Sequence, residues 1–266
     1  MPDKSCTIPV QGDGIESMSG FCDNLSPTGN TTRELSREKR LYIKSPKKIP
    51  ATISEANNRA QGMNKKPLLI YLHGLNSAPQ STKAQLVKDY IDSNRLDIEY
   101  WIPRLPHWPE EIRSLILDTL LPQIHLRPVY IIGSSLGGFL GTWLQDHIYR
   151  VTETICPKLV LINPAARPFE LFENYLGTQE NLYTGERWEL TINHVKQLRA
   201  MEVKNVLNPK AIFLLAQKGD ETIDYRQAVE KYQGCQRMIQ EGGSHTFDNF
   251  SGVLPDIFSF LADRVI

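Results

Sequence analysis

VYIIGSSLGGFLG, residues 129–141, is the stretch whose reading decides the fold. A run of strand-forming residues feeds into a serine bracketed by glycines, and apolar residues at helical spacing follow. Gly133-Ser134-Ser135-Leu136-Gly137 fits G-x-S-x-G with Ser135 at its centre. Ser134 cannot take that place, because Ile132 occupies the position of the leading glycine. The pattern alone is weak, but its place between a strand and a helix is the setting of a nucleophile elbow. A Cβ at 133 or 137 is expected to collide with neighbouring backbone, and Gly138 to let the helix pack close to the sheet. The helix N-terminus behind Ser135 favours developing negative charge. The plainer alternative is a glycine-rich turn holding one polar residue.

Working outward, KPLLIYLHGLNS reads as a buried strand ending in a glycine turn. STKAQLVKDYIDSN has helical spacing, DIEYWIPRLP reads as a second strand, and WPEEIRSLILDTLLPQI as a helix entered through Pro109. Beyond the opening stretch, KLVLINPAARP and AIFLLAQKGD are further strands. YRQAVEKYQG is a helix, QRMIQEGGSH a strand, and NFSGVLPDIFSFLADRVI a closing helix expected to break near Pro255. Strand and helix alternate, and the strands are continuous apolar runs. The fold class expected is therefore α/β, a mostly parallel sheet with helices on both faces. Sites in such sheets lie beyond the carboxyl ends of the strands.

Residues 168–207, PFELFENYLGTQENLYTGERWELTINHVKQLRAMEVKNVL, interrupt the alternation and are too long for a simple connection. With Phe169, Phe172, Tyr175, Tyr183 and Trp188 they read as a small, mostly helical cap-like insertion. The alternative is aromatic packing on the outside of the sheet. Residues 1–64 are polar, with scattered apolar positions, and read as a poorly ordered extension to a domain over 65–266. Within that extension, residues 33–48 carry seven basic and two acidic side chains, a solvated leader or a contact for an anionic surface.

A serine hydroxyl needs a base. His245, in EGGSHTF, follows the last strand in a glycine loop. His73 comes before any candidate acid, against the order Ser, acid, His expected for this fold, and HGLNS suits another task. His107 reads as a surface or substrate contact, and His125, His147 and His194 as structural or exposed. The base needs a carboxylate to orient it, and LLAQKGDETIDY offers Asp220, Glu221 and Asp224. Asp220, straight after the glycine that ends the strand, is preferred. Asp224 reads better as a helix cap, and Glu221 as exposed. Oxyanion donors would be the backbone N–H of Leu136 and, from HGLNS, that of Leu75 or Asn76.

The bulk of the sequence excludes several classes. The 266 residues are 41% hydrophobic and 23% charged, with a formal net charge of +0. Nothing there draws the chain to nucleic acid or to an anionic membrane. No run of about 18 apolar residues and no continuous apolar stretch near residue 1 occur, so neither a membrane span nor a secretory signal is expected, and C-x-x-C, H-E-x-x-H and the dinucleotide and P-loop motifs do not occur. Cys6, Cys22, Cys156 and Cys235 are far apart and read as free thiols of a cytoplasmic protein. No cofactor and no metal are expected. The partner expected is a small-molecule ester, and the sequence does not speak to oligomeric state.

YLHGLNS, GSSLGGFLGTWL, INPAARPFELFENYLG, NLYTGERWEL, GDETIDYRQAVEKY and EGGSHTF together resemble the small bacterial esterases of the YqiA/YcfP family, within the α/β-hydrolase superfamily. The resemblance covers roughly residues 67–263 and leaves out the polar extension, which departs from the family pattern. It implies a compact hydrolase acting on short acyl esters, with a serine triad that falls on Ser135, Asp220 and His245. The rival readings are a thioesterase or acyltransferase with the same triad, and a non-catalytic binding protein on a hydrolase scaffold.

Overall fold

The computed structural model describes residues 65–262, so the expectations for residues 1–64 lie outside it. Six strands form one sheet: β1 (Leu68–Leu72), β2 (Glu99–Trp101), β3 (Val129–Ser134), β4 (Lys158–Ile162), β7 (Ile212–Gln217) and β8 (Gln236–Gln240). Their order is β2-β1-β3-β4-β7-β8, and every pair is parallel. Between β4 and β7 a separate antiparallel pair, β5 (Gly177–Glu180) and β6 (Arg187–Leu190), forms a hairpin.

The continuous apolar runs are explained by burial on both faces. Alternate residues of a strand point to opposite sides. Leu68, Ile70 and Leu72 of β1 join a core with Ile131, Leu159, Leu161, Ile212 and Leu214. Helices α2 (Pro109–Leu120) and α3 (Leu136–Thr152) cover that face through Ile116, Leu120, Phe139, Leu140 and Leu144. Leu69 and Tyr71 point the other way, to a core with Ile132, Val160, Ile162, Phe213 and Leu215. There, α1 (Thr82–Ser93) packs through Ala84, Val87 and Ile91, and α7 (Phe250–Ala262) through Val253, Leu254, Ile257 and Leu261. Both helices bury one stripe at helical spacing.

The chain leaves β1 for the edge strand β2 and then returns past β1 to β3 and β4. This reversal opens a crevice beyond the carboxyl ends of β1 and β3, the place where ligands bind in open parallel sheets. The register pairs Leu72 with Gly133, so the loop after β1 and the turn after β3 begin side by side.

Two expectations are corrected. The segment 168–207 is not mostly helical: α4 (Pro168–Phe172) and α5 (Ile192–Ala200) flank the β5–β6 hairpin. A local turn explains the hairpin. Asn181 Oδ1 accepts from the N–H groups of Tyr183 (2.9 Å) and Thr184 (3.1 Å), and Gly185 has φ +69°. The closing helix does not break at Pro255 but runs through it. Pro255 lies on the exposed side, as does Ser251, whose carbonyl lacks an i+4 donor because proline has no N–H, while the buried stripe is uninterrupted. Restoring that donor with Pro255→Ala is expected to stabilise the protein by about 1–3 kcal/mol. An unchanged or lower urea midpoint would contradict this.

Candidate active site

Ser135 sits between β3 and α3 with φ 56° and ψ −121°, a conformation an L-residue holds only under strain, at a cost of roughly 1–3 kcal/mol. Neighbouring backbone enforces it. The Ser135 N–H donates to Ile162 O at 3.0 Å, and its carbonyl accepts from Ala165 N at 3.0 Å and Gly138 N at 2.9 Å. A Cβ on Gly133 would lie 2.2 Å from Gly137 O, and one on Gly137 1.9 Å from Leu72 O. Both positions therefore require glycine.

Three side chains converge from three strand ends. His245 Nε2 lies 3.1 Å from Ser135 Oγ, and His245 Nδ1 lies 2.9 Å and 3.1 Å from the two carboxyl oxygens of Asp220. The Asp220 side chain is 2% exposed and that of His245 23%. An ionised carboxylate only accepts, so Nδ1 donates and Nε2 is left bare toward the serine hydroxyl. Asp220 Oδ1 also accepts from Thr222 N (2.9 Å) and Ile223 N (2.8 Å), which fixes the carboxylate.

The competing residues lie elsewhere. Asp224 caps α6 (Tyr225–Lys231), accepting from Arg226 N at 3.0 Å, and the Arg226 guanidinium beside it holds its carboxyl below the usual range. Glu221 is exposed, yet its carboxylate accepts from His245 N at 3.0 Å and steadies the histidine loop. His73 is buried, donating through Nδ1 to Gly74 O (3.0 Å) and accepting at Nε2 from Leu105 N (3.3 Å). Burial holds its pKa below the ordinary histidine value, so it is a neutral brace between the loops after β1 and β2. His107 stacks on Trp188, with ring centroids 4.5 Å apart, and pairs with Glu186 in a different cleft. His194 is buried in the cap of α5, His147 stacks on Trp143, and His125 is exposed.

The loop after β1 lies against the serine, since a Cβ on Gly74 would come 3.1 Å from Ser135 Cβ. The N–H groups of Leu75 and Leu136 have no acceptor among the described residues. The hairpin holds this loop: Trp188 Nε1 donates to Asn76 Oδ1 (2.8 Å), Asn76 Nδ2 to Gln179 Oε1 (3.1 Å), and Asn181 Nδ2 to Ser77 O (2.9 Å). Its turn residues Leu182 and Tyr183 form one wall of a cleft of about 570 Å³ that Ser135 and His245 also line. Leu182 is 84% exposed at that rim.

The sequence assigns no role to the residues that hold the histidine loop. Asn163, with φ 39° just past β4, donates through Nδ2 to Ser244 O (2.9 Å) and His245 O (3.2 Å). Its Oδ1 accepts from Gln217 N (2.9 Å). The buried Gln217 accepts at Oε1 from Ser244 N (3.1 Å) and Asp248 N (2.8 Å). An asparagine directly after a strand and before Pro164 was the available signal, because asparagine tolerates positive φ. Nothing local marked Gln217. Among the described residues, no group of three or more His, Cys, Asp or Glu side chains could hold a metal ion, and no helix is long and apolar enough to cross a membrane.

Residues 68–262 match the model of the uncharacterised protein family UPF0227, the YqiA-like family. Est1E from Butyrivibrio proteoclasticus is similar in structure at TM-score 0.58 and 16% identity, covering 75% of this chain and 90% of its own. Alpha/beta hydrolase domain-containing protein 10 from mouse reaches 0.55 at 17% identity, covering 75% and 90%. The monoacylglycerol lipase of Paleococcus ferrophilus reaches 0.52 at 14% identity, covering 74% and 95%. At these identities the likeness establishes a shared α/β-hydrolase fold.

Asn163→Ala would free two carbonyls of the histidine loop and strand the Gln217 N–H. It is expected to cost about 2–4 kcal/mol. A urea denaturation midpoint within error of wild type would show that the loop is held without it.

Proposed function

The chain belongs to the UPF0227 family, and we propose that it is a serine hydrolase of carboxylic esters with short acyl chains. The single observation carrying this reading is the Ser135–His245–Asp220 relay, with Nε2 at 3.1 Å from Oγ and Nδ1 on a buried carboxylate. Ser135 Oγ attacks the carbonyl carbon while His245 Nε2 takes its proton. Asp220 holds the imidazole in the tautomer that leaves Nε2 bare and stabilises the imidazolium. The N–H groups of Leu75 and Leu136 receive the oxyanion, whose charge exists mainly in the transition state. His245 then gives its proton to the leaving alcohol, and the acyl group remains on Ser135. A water molecule, deprotonated by His245, attacks the acyl-enzyme; as the bond from the acyl carbon to Ser135 Oγ breaks, His245 gives that proton to Oγ and the acid leaves. Apart from the ester and water, each step written here uses only groups of the chain. In this reading residues 65–266 are the hydrolase domain, and 168–207 is a cap whose hairpin turn bounds the acyl or alcohol side of the cleft.

A fold shared with hydrolases does not assign an activity, so the tests address the residues. A fluorophosphonate probe should label wild type and leave Ser135→Ala unlabelled; equal labelling would remove Ser135 as the nucleophile. Asp220→Asn should lower kcat by about 10³–10⁴-fold. Asp224→Asn should instead keep kcat nearly unchanged and cost less than about 1 kcal/mol of stability, because asparagine caps a helix about as well and only the exposed pair with Arg226 is lost. The reverse ranking would move the orienting acid to 224.

A further inference from the structure

The cleft beside Ser135 is asymmetric in charge. Among the described residues lining it there is no aspartate or glutamate, and Lys83 is its one fixed cation. Lys83 stands in the first turn of α1, where N–H groups lack intrahelical acceptors and the helix dipole is positive. Ser81, just before that turn, also lines the cleft. It is 8% exposed, its hydroxyl has no partner among the described residues, and it does not cap the helix. That oxygen has essentially no accessible surface, so it is not a donor to the cleft, and Lys83 is the charged group of this turn that a ligand can reach.

Lys83 already has one duty, since Nζ donates to Thr246 O at 2.8 Å beside His245. An ammonium carries three N–H groups, so two are left. Bracing a carbonyl needs no charge, and a neutral donor would serve without the cost of desolvating a cation. Burial lowers the lysine's pKa, and the charge of Asp220 works against that. Asp220, however, is already committed to His245 and to two backbone N–H groups. A counter-charge inside the cleft would complete the arrangement.

We infer that the cleft takes an ester that also carries a carboxylate, held by Lys83 Nζ at the positive end of α1. This rests on the hydrolase reading above and narrows its substrate class. The test compares kcat/KM of the full chain for matched pairs: 4-nitrophenyl monoadipate against 4-nitrophenyl hexanoate, with the charge on the acyl side, and 4-acetoxybenzoate against 4-acetoxybenzamide, with it on the leaving side. In one pair the anionic ester should be favoured about tenfold or more, the scale of a hydrogen bond to a charged group. Added salt should erode that preference. Lys83→Met should bring the ratio near one and Lys83→Arg should restore most of it. Lys83→Gln, which keeps a neutral donor for Thr246 O, should also bring the ratio near one, and together with the salt series in wild type it carries the test if Lys83→Met does not fold. No preference in either pair, or a Lys83→Met protein that slows all esters equally with the ratio intact, would overturn the inference and leave Lys83 as a brace for the His245 loop. No hydrolysis of any ester, or equal hydrolysis by Ser135→Ala, would overturn the hydrolase reading and the inference with it.

Discussion

The turn after β3 passes so close to the end of β1 that a single methyl group does not fit between them. A Cβ on Gly137 would sit 1.9 Å from Leu72 O. This contact holds Ser135 in its positive-φ conformation and brings the loop with the Leu75 N–H alongside the hydroxyl. It is possible because β1 and β3 are neighbours in register, and that neighbourhood is the point where the sheet reverses its strand order. A crevice at such a point is where ligands bind in open parallel sheets, and the N–H groups of Leu75 and Leu136 there have no acceptor among the described residues.

The relay needs more than the serine. Ser135, Asp220 and His245 follow β3, β7 and β8, and β4 stands between the first and the other two. Asn163, at the end of β4, spans that gap by binding the histidine loop on one side and the backbone of Gln217 on the other. Gln217 then collects Ser244 and Asp248. A donor–acceptor geometry good to a few tenths of an ångström requires this kind of support, because loops held by their ends alone drift by more. The β5–β6 hairpin does the same for the opposite wall, fastening Asn76 and Ser77 through Trp188, Gln179 and Asn181. The aromatics of residues 168–207 are thereby divided. Tyr183 faces the serine's cleft, Trp188 lines the neighbouring one, and Phe169 and Phe172 are buried core.

Local pattern was enough for the six strands of the main sheet, the helices between them and the elbow. A doubly buried strand is an unbroken apolar run, and a turn with no room for a Cβ must be glycine, so both leave a mark in a few adjacent residues. The order Ser, acid, His then picked out the loops to inspect, and the choice of Asp220 over Asp224 followed from its place directly after a strand. The two local misreadings have local causes. The hairpin leaves no local mark because its turn depends on the Asn181 side chain folding back on the backbone, and Pro255 does not break the helix because the buried stripe around it is continuous.

Pairings between distant strand ends were decided only by the tertiary structure. Which carboxylate touches His245, what holds the Asn163–Gln217 network, and that Lys83 reaches Thr246 across 163 residues are matters of relative placement. The physical reason is range. Backbone sterics and burial act on neighbours in sequence and so write themselves into short motifs. A hydrogen bond between loops acts only once six strands have been laid side by side, and any polar residue in the right loop could have been its partner.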